Sequence, residues 1–425
     1  MTKKSKKLFL SILICIFFTL PLTPKNLVAN ELGGFFEGAG AFKFGNEKAV
    51  KNNYNFLETR FQLKANYFPE FLEDNEGELF FKGEVLGDGY DERVYAYIRE
   101  SNISMVIYDL IDLKMGRQIL TWGTGDLLFI NDQFPKDYIS FFIGRGTEYL
   151  KVPSDALKIS YWSKYFAIDL VGTLFEPNKS LNGERLSFYN PFTGEIEGSS
   201  MSLNYERPSS NPKNIESSLR LSRTFGSVEG ALYFFSGFYK DPVGVLNPIS
   251  MSLFYPRMNS YGFSLRGPFL GGIANFEAGF LESRDDINGE NPLITNSEVR
   301  YLIGIEEDLG GDTKLGLQFY VEQMLSYGKY ENGVPLGAEK RDEFRSLLTL
   351  RLSKFFLAQT LHAGFILFYG LNEDDLYFRP RVSYNFTDNF KLSLGANIFD
   401  GANDHTNFGQ LQGNNNLFLG ARYSF

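Results

Sequence analysis

Residues Leu376–Phe386 read LYFRPRVSYNF. In an extended chain successive side chains point to opposite sides. Leu376, Phe378, Pro380, Val382, Tyr384 and Phe386 therefore share one face, and Tyr377, Arg379, Arg381, Ser383 and Asn385 the other. One face must be buried against something apolar, while the other carries two guanidiniums that need water or carboxylates. The same period of two recurs in KLSLGANI, where Leu392, Leu394, Ala396 and Ile398 oppose Lys391, Ser393, Gly395 and Asn397. ETRFQLKANY, TKLGLQFYVE and SEVRYLIGIE repeat it.

A soluble sandwich also alternates, so the connections have to decide. Tight links at Ser163–Tyr165, Phe225–Ser227, Asp308–Asp312 and Thr387–Asn389 take turns with long ones at Gly123–Ser154, Glu176–Asn214, Lys240–Pro256, Ser283–Asn296 and Leu325–Arg341. Short turns at one end and long loops at the other are the build of an outer-membrane barrel. The expectation is an all-β protein, a transmembrane antiparallel β-barrel of about 16–18 strands with short periplasmic turns and long external loops. The ending NNNLFLGARYSF supports it: Leu417, Leu419, Ala421, Tyr423 and Phe425 share a face and finish on a C-terminal Phe. That pattern resembles the signal read by the outer-membrane assembly machinery, an expected partner alongside the membrane lipid.

The start of the chain reads as a secretory signal. Lys3, Lys4, Lys6 and Lys7 precede the apolar run Leu8–Leu22, which Pro21 and Pro24 interrupt before it is long enough to span a bilayer as a helix. Cleavage after Ala29 is expected, although Leu27 fits the position three residues before the cut poorly, leaving a single barrel over residues 30–425. Cys15, the chain's one cysteine, lies inside the signal, so disulfides and thiolate metal sites are not expected in the mature protein. Mean hydropathy is −0.19, too low for a helical membrane protein. Yet there are 43 Phe and 24 Tyr, and a lipid-facing wall with aromatic girdles would accommodate them. Strands beginning near Glu31 leave no room for an N-terminal plug domain.

Met115–Leu128, MGRQILTWGTGDLL, resembles a segment of porin-like barrels related to the alginate-export family, and the ending FDGANDHTNFGQLQGNNNLFLGARYSF resembles their final loop and strand. The resemblance implies a pore or an export conduit, and names no substrate. The loop that follows this motif would be the third external connection. In general porins a loop so placed folds into the lumen, and here Asp126, Asp132, Lys136, Asp137, Arg145 and Glu148 are its candidate constriction residues.

If the apolar faces meet lipid, their alternates line the lumen. Arg60, Lys64, Lys82, Arg99, Lys114, Arg220 and Arg266 would then face inward in the first half of the chain. Arg300, Lys314, Arg345, Arg351, Arg379, Arg381 and Lys391 would do so in the second. Arg93, Lys158 and Arg422 join them, against the acids Glu58, Glu84, Asp112, Asp169, Glu216, Glu229, Glu277, Glu298, Glu306 and Glu322. Cations are in excess on this face of a chain whose formal net charge is −9, so the acidity belongs mostly to loops and turns. Such a wall either selects anions or merely pairs its charges across strands for rigidity, and the sequence leaves both open. Arg117 falls outward by strict alternation from Lys114, which points to a bulge or an early strand end near Gly116.

Enzymatic chemistry finds little support. His362 and His405 are the only imidazoles, and neither is flanked by a nucleophile arrangement. The Asp400–Asp404 segment has oxygen ligands, but Asp, Gly and Asn are also the ordinary turn formers. No cofactor is expected, and the acidic balance argues against nucleic acid. The functional expectation is a passive pore for small hydrophilic, anionic solutes. An export conduit for an acidic polysaccharide working with periplasmic partners, or a structural or adhesive barrel, are the alternatives.

Overall fold

Alternating strands that are apolar on one side only can satisfy every backbone group in a bilayer if the sheet closes on itself. In the computed structural model it does. Residues 31–425 are described apart from 46–49, 51, 200, 202 and 335–338, so the expected signal over 1–29 lies outside the described residues.

The wall is one sheet of 18 antiparallel strands. The first seven are β1 (Glu31–Lys43), β2 (Tyr54–Tyr67), β3 (Glu78–Asp88), β4 (Arg93–Ile107), β5 (Ile111–Gln118), β6 (Ser154–Trp162) and β7 (Ala167–Thr173). Next come β8 (Glu216–Phe225), β9 (Val228–Phe238), β10 (Arg257–Phe269), β11 (Gly272–Ser283) and β12 (Glu298–Gly310). The last six are β13 (Thr313–Met324), β14 (Phe344–Phe356), β15 (Leu361–Gly370), β16 (Asp375–Asn385), β17 (Phe390–Gly401) and β18 (Asn416–Ser424). Each pairs with its neighbours in sequence, and β1 closes the ring on β18, with Glu37 opposite both Arg60 and Arg422. Short strands within the long connections form two small extra sheets.

The long loops gather at one end of the barrel and most tight turns at the other. Three connections break the simple rule. Residues 89–92 and 371–374 are tight links at the loop end, and 68–77 at the turn end is longer and holds a 3-10 helix, Glu70–Asn75.

Outward positions are apolar and exposed, as lipid contact requires. Leu417, Leu419, Tyr423 and Phe425 on the closing strand are examples. Phe425 lies near Phe36 and Phe61 and exchanges backbone hydrogen bonds with Gly34, which ties the chain end into the wall. The inward positions are where sequence alternation misleads. Phe56, Leu302, Tyr320, Leu347, Phe368, Tyr377, Phe399 and Phe418 point inward too, and pack against Phe141, Ile143 and Leu150 of the loop after β5 and Phe408 and Leu411 of the loop after β17. Part of the lumen is therefore an apolar core.

Of the two irregularities anticipated near Gly116, the early strand end is present, since β5 stops at Gln118, and the bulge lies in the neighbouring strand. β5 keeps its register through Gln118, and the irregularity is in β4, where Arg99 is the extra residue between Ile98 and Glu100. Arg117 does stay on the outer face, where it pairs with Asp155 at 3.2 Å.

Candidate functional site: the constricted lumen

The loop over residues 119–153 crosses the inside of the barrel and returns, held by wall residues that its own backbone selects. Gly123, at φ +82°, brings the chain against β11, where a Cβ would lie 2.7 Å from Glu277 Oε1. Behind that turn the amides of Thr124, Gly125 and Asn131 donate to the Glu277 carboxylate at 2.8, 3.0 and 2.9 Å. Glu277 is almost fully buried, so these bonds replace its hydration. Asn131 seats its side chain over Gly262, where any Cβ would be 1.7 Å from Asn131 Oδ1. Asp126 pairs with Arg351 at 2.8 Å.

The loop then turns into a single helical turn, α1 (Tyr138–Ile143). Asp137 caps it by accepting from the Ser140 amide at 2.7 Å, and Gly144, at φ +96°, ends it. This turn supplies the aromatic side chains of the lumenal core. Immediately after it, Arg145 reaches β2 and pairs with Glu58, which also holds Arg60 at 3.0 Å. Arg60 pairs with Glu84 at 2.5 Å, and the Tyr149 ring lies 4.1 Å from the Arg60 guanidinium while its hydroxyl donates to Glu84 at 3.1 Å. Glu148 pairs with Arg422 at 2.7 Å, closing the loop onto β18.

The residues singled out from sequence divide into groups. Asp126, Arg145 and Glu148 bind the loop to the wall, whereas Asp132 and Lys136 are buried against each other at 2.9 Å within the loop. Burial pushes the Lys136 ammonium below its ordinary pKa, with Asp132 opposing that. Asp137 pairs with Lys179 of the next loop at 2.9 Å. Burial alone would raise the Asp137 carboxyl, but Lys179 and Arg145 hold it below its usual range. Lys82, Arg99, Arg220, Arg300, Arg345 and Arg351 face inward and are paired, with Glu100, Glu84, Asp169, Glu298, Glu322 and Glu306 among their partners.

Arg379 departs from the expectation. It points inward, yet it is 3% exposed, stacked 4.6 Å from the Phe141 ring and donating to the Arg145 carbonyl at 2.9 Å. The loop covers it, so it is a seat for the loop and not a surface of the pore. Lys64, Lys114, Arg266, Lys314, Arg381 and Lys391 form no ion pair among the described residues, and all lie in the turn-end half of their strands. Arg381 has only a 3.4 Å contact to Ser393 Oγ.

Arg185 was not singled out from the sequence. It comes from the loop over 174–215 and binds Asp88 at 2.5 Å, Asp91 at 3.0 Å and the Asn55 carbonyl at 3.2 Å, so a second loop is fastened over the first. A lone arginine in a long polar loop carries no periodic signal that could have marked it.

Cavities remain between the loops and the wall. One of about 610 Å3 lies toward the loop end beside β3 and β4, and one of about 310 Å3 lies under the loop beside β15–β18. Arg145 lines both, so the Arg145–Glu58 pair stands between them. Arg381, Lys391, Arg422 and His362 line the second.

Solved structures share this architecture. OccK11 (OpdR) of Pseudomonas aeruginosa matches with a TM-score of 0.54 at 9% identity, over 93% of this chain and 95% of that one. OccAB1 of Acinetobacter baumannii matches with 0.54 at 9%, over 94% and 98%, and OccD3 (OpdP) of P. aeruginosa with 0.54 at 9%, over 94% and 92%. The fold is thus that of the outer-membrane porins of Gram-negative bacteria. No family model and no curated protein matches the sequence, so the likeness to alginate-export barrels rests on the quoted motifs alone.

Proposed function

We propose that the protein is a diffusion pore of the outer membrane that favours small anionic solutes. One observation carries this reading: the ten inward carboxylates singled out from the sequence are engaged, with Glu78 at the turn end of β3 an unengaged inward acid beside them, whereas six of the inward cations have no ion pair among the described residues. Glu58, Glu84, Asp169, Glu216, Glu229, Glu298, Glu306 and Glu322 are in ion pairs. Glu277 holds the loop amides, and Asp112 accepts from Trp162 Nε1 at 2.7 Å. Lys64, Lys114, Arg266, Lys314, Arg381 and Lys391 are left to act on whatever enters, even with the turn acid Asp308 on the strand beside Lys314. A low-dielectric wall focuses the field of such charges and raises the local concentration of anions. Pairing and selectivity therefore coexist in one lumen, at different depths.

Cavities of about 610 and 310 Å3 separated by an ion pair suit small solutes better than a polymer chain. That favours diffusion over polysaccharide export. The deciding experiment is the reversal potential of the purified protein in a planar bilayer under a salt gradient. Anion preference is expected, and a strongly cation-selective pore would overturn the reading. Membrane placement is tested separately: deleting Phe425 should reduce assembled protein in the outer membrane, and normal levels would count against it.

A further inference from the structure

The barrel wall has an opening between β4 and β5. β4 pairs with β3 from Arg93 to Ser104, but its register with β5 begins only at Ser101, opposite Arg117. Because β5 ends at Gln118, the backbone edge of residues 93–100 has no wall strand beside it. At the foot of this gap Arg117 Nε donates to the Ile98 carbonyl at 3.0 Å while its Nη1 holds both carboxylate oxygens of Asp155. That forms a sill. Overhead, the loop carrying Glu184 and Arg185 arches across, with Arg185 on Asp88 and Asp91 and the Tyr90 hydroxyl donating to the Glu184 carbonyl.

The cavity of about 610 Å3 passes through this frame. Register puts Tyr95 and Tyr97 on the lumen face, opposite Leu86 and Glu84, and Ile98 and Arg117 on the outer face. All four residues line the same cavity, which a closed wall would not allow. The opening also has a defined height. Below the sill the outer face is apolar, at Leu113, Met115, Leu157 and Ile159, and Arg117 and Asp155 begin the charged part. Charges facing lipid are tolerated near the interface, so the sill lies at the edge of the hydrocarbon. Yet above it, along the free edge, Ile98, Ala96 and Val94 face outward, and Val94 is 75% exposed. Apolar side chains above a charged sill, beside a cavity walled by charges of both signs and by tyrosines, match a molecule with a tail and a head.

We propose that this gap is a lateral port, through which the acyl chain of an amphiphile in the outer leaflet reaches the vestibule while its polar head sits among the vestibule's charges. The proposal rests on the membrane placement argued above. The test uses the Cys15→Ser chain, which has no other cysteine, carrying Tyr97→Cys, Leu157→Cys or Lys391→Cys, each labelled with bimane. The proteins are inserted into phosphatidylcholine vesicles with brominated acyl chains, which quench only on close approach. Leu157 faces lipid and Lys391 faces the lumen, so they set the two limits. Quenching at Tyr97 close to that at Leu157, rising further with Arg117→Ala, is expected. Quenching at Tyr97 equal to that at Lys391 overturns the port, whereas absence of quenching at Leu157 overturns the membrane placement itself. If Tyr97→Cys fails to assemble, Tyr95→Cys reads the same face.

Discussion

Arg379 and Arg381 sit two residues apart on the inward face of one strand, and they belong to two different parts of the lumen. Arg379 is at the level of the crossing loop, buried against Phe141 and bound to the Arg145 carbonyl. Arg381 is just below, lining the cavity of about 310 Å3 with Lys391 and with no ion pair among the described residues. A similar contrast recurs at other wall positions, although Lys82 and Arg422 are paired in the turn-end half. At loop level Glu58, Glu84, Glu277 and Glu298 are buried and bound, so their charges are spent on structure. Toward the turn end Lys64, Lys114, Arg266, Lys314 and Lys391 are exposed or half-buried and have no ion pair among the described residues. Identical residue types in identical register are thus bound into the structure or left unpaired according to whether a loop covers them.

The largest effect that would break this division is expected at Glu277. Replacing it with Ala leaves the buried amides of Thr124, Gly125 and Asn131 without an acceptor. Each such loss costs about 1–3 kcal/mol, enough to release the loop. Single-channel conductance should rise at least about twofold, since pore width governs conduction. An unchanged conductance would show that Glu277 does not hold the constriction.

Next in size, Arg379→Glu should damage assembly or loop position, because it places a carboxylate against Phe141 and the Arg145 carbonyl. The charge reversal Arg381→Glu with Lys391→Glu should leave assembly and conductance nearly unchanged and move the reversal potential toward cations. Measured together, folded yield and selectivity separate the two outcomes. Both arginines behaving alike would erase the comparison.

A smaller effect is expected from Arg145→Ala, which removes the pair between the two cavities but leaves Glu58 bound to Arg60. Conductance should increase less than in the Glu277 variant. A larger increase would place the true barrier at Arg145.

The smallest effect is one of pH. Burial would push the Glu148 carboxyl up, but the charge and hydrogen bond of Arg422 hold it below the ordinary range. A depressed carboxyl contributes stability that is complete above the unfolded value of about 4.3 and is lost as pH falls through the folded value. Conductance should therefore stay level from neutral pH down to about 5 and rise only below about 4. A rise centred near neutrality would exclude this tether as its cause.

By itself the sequence determined the barrel and the side on which each wall residue lies, because a pleated strand has a period of two and charges facing lipid are penalised. Arg60, Glu84, Arg300 and Arg381 all lie where alternation puts them. Even the outward Arg117 obeys it, with the early strand end at Gln118 close to Gly116 and a bulge one strand away at Arg99. What only the tertiary structure decided is which inward residues meet water. The loop over 119–153 has no period, and its path is set by contacts such as Glu277 with Thr124, separated by 153 residues in sequence. Likewise Arg185 reaches Asp88 across 97 residues, and the gap beside β4 exists because β5 stops at Gln118. Local pattern fixes direction, since it depends on neighbours along the chain, whereas cover and opening depend on segments that the chain brings together only when the barrel closes.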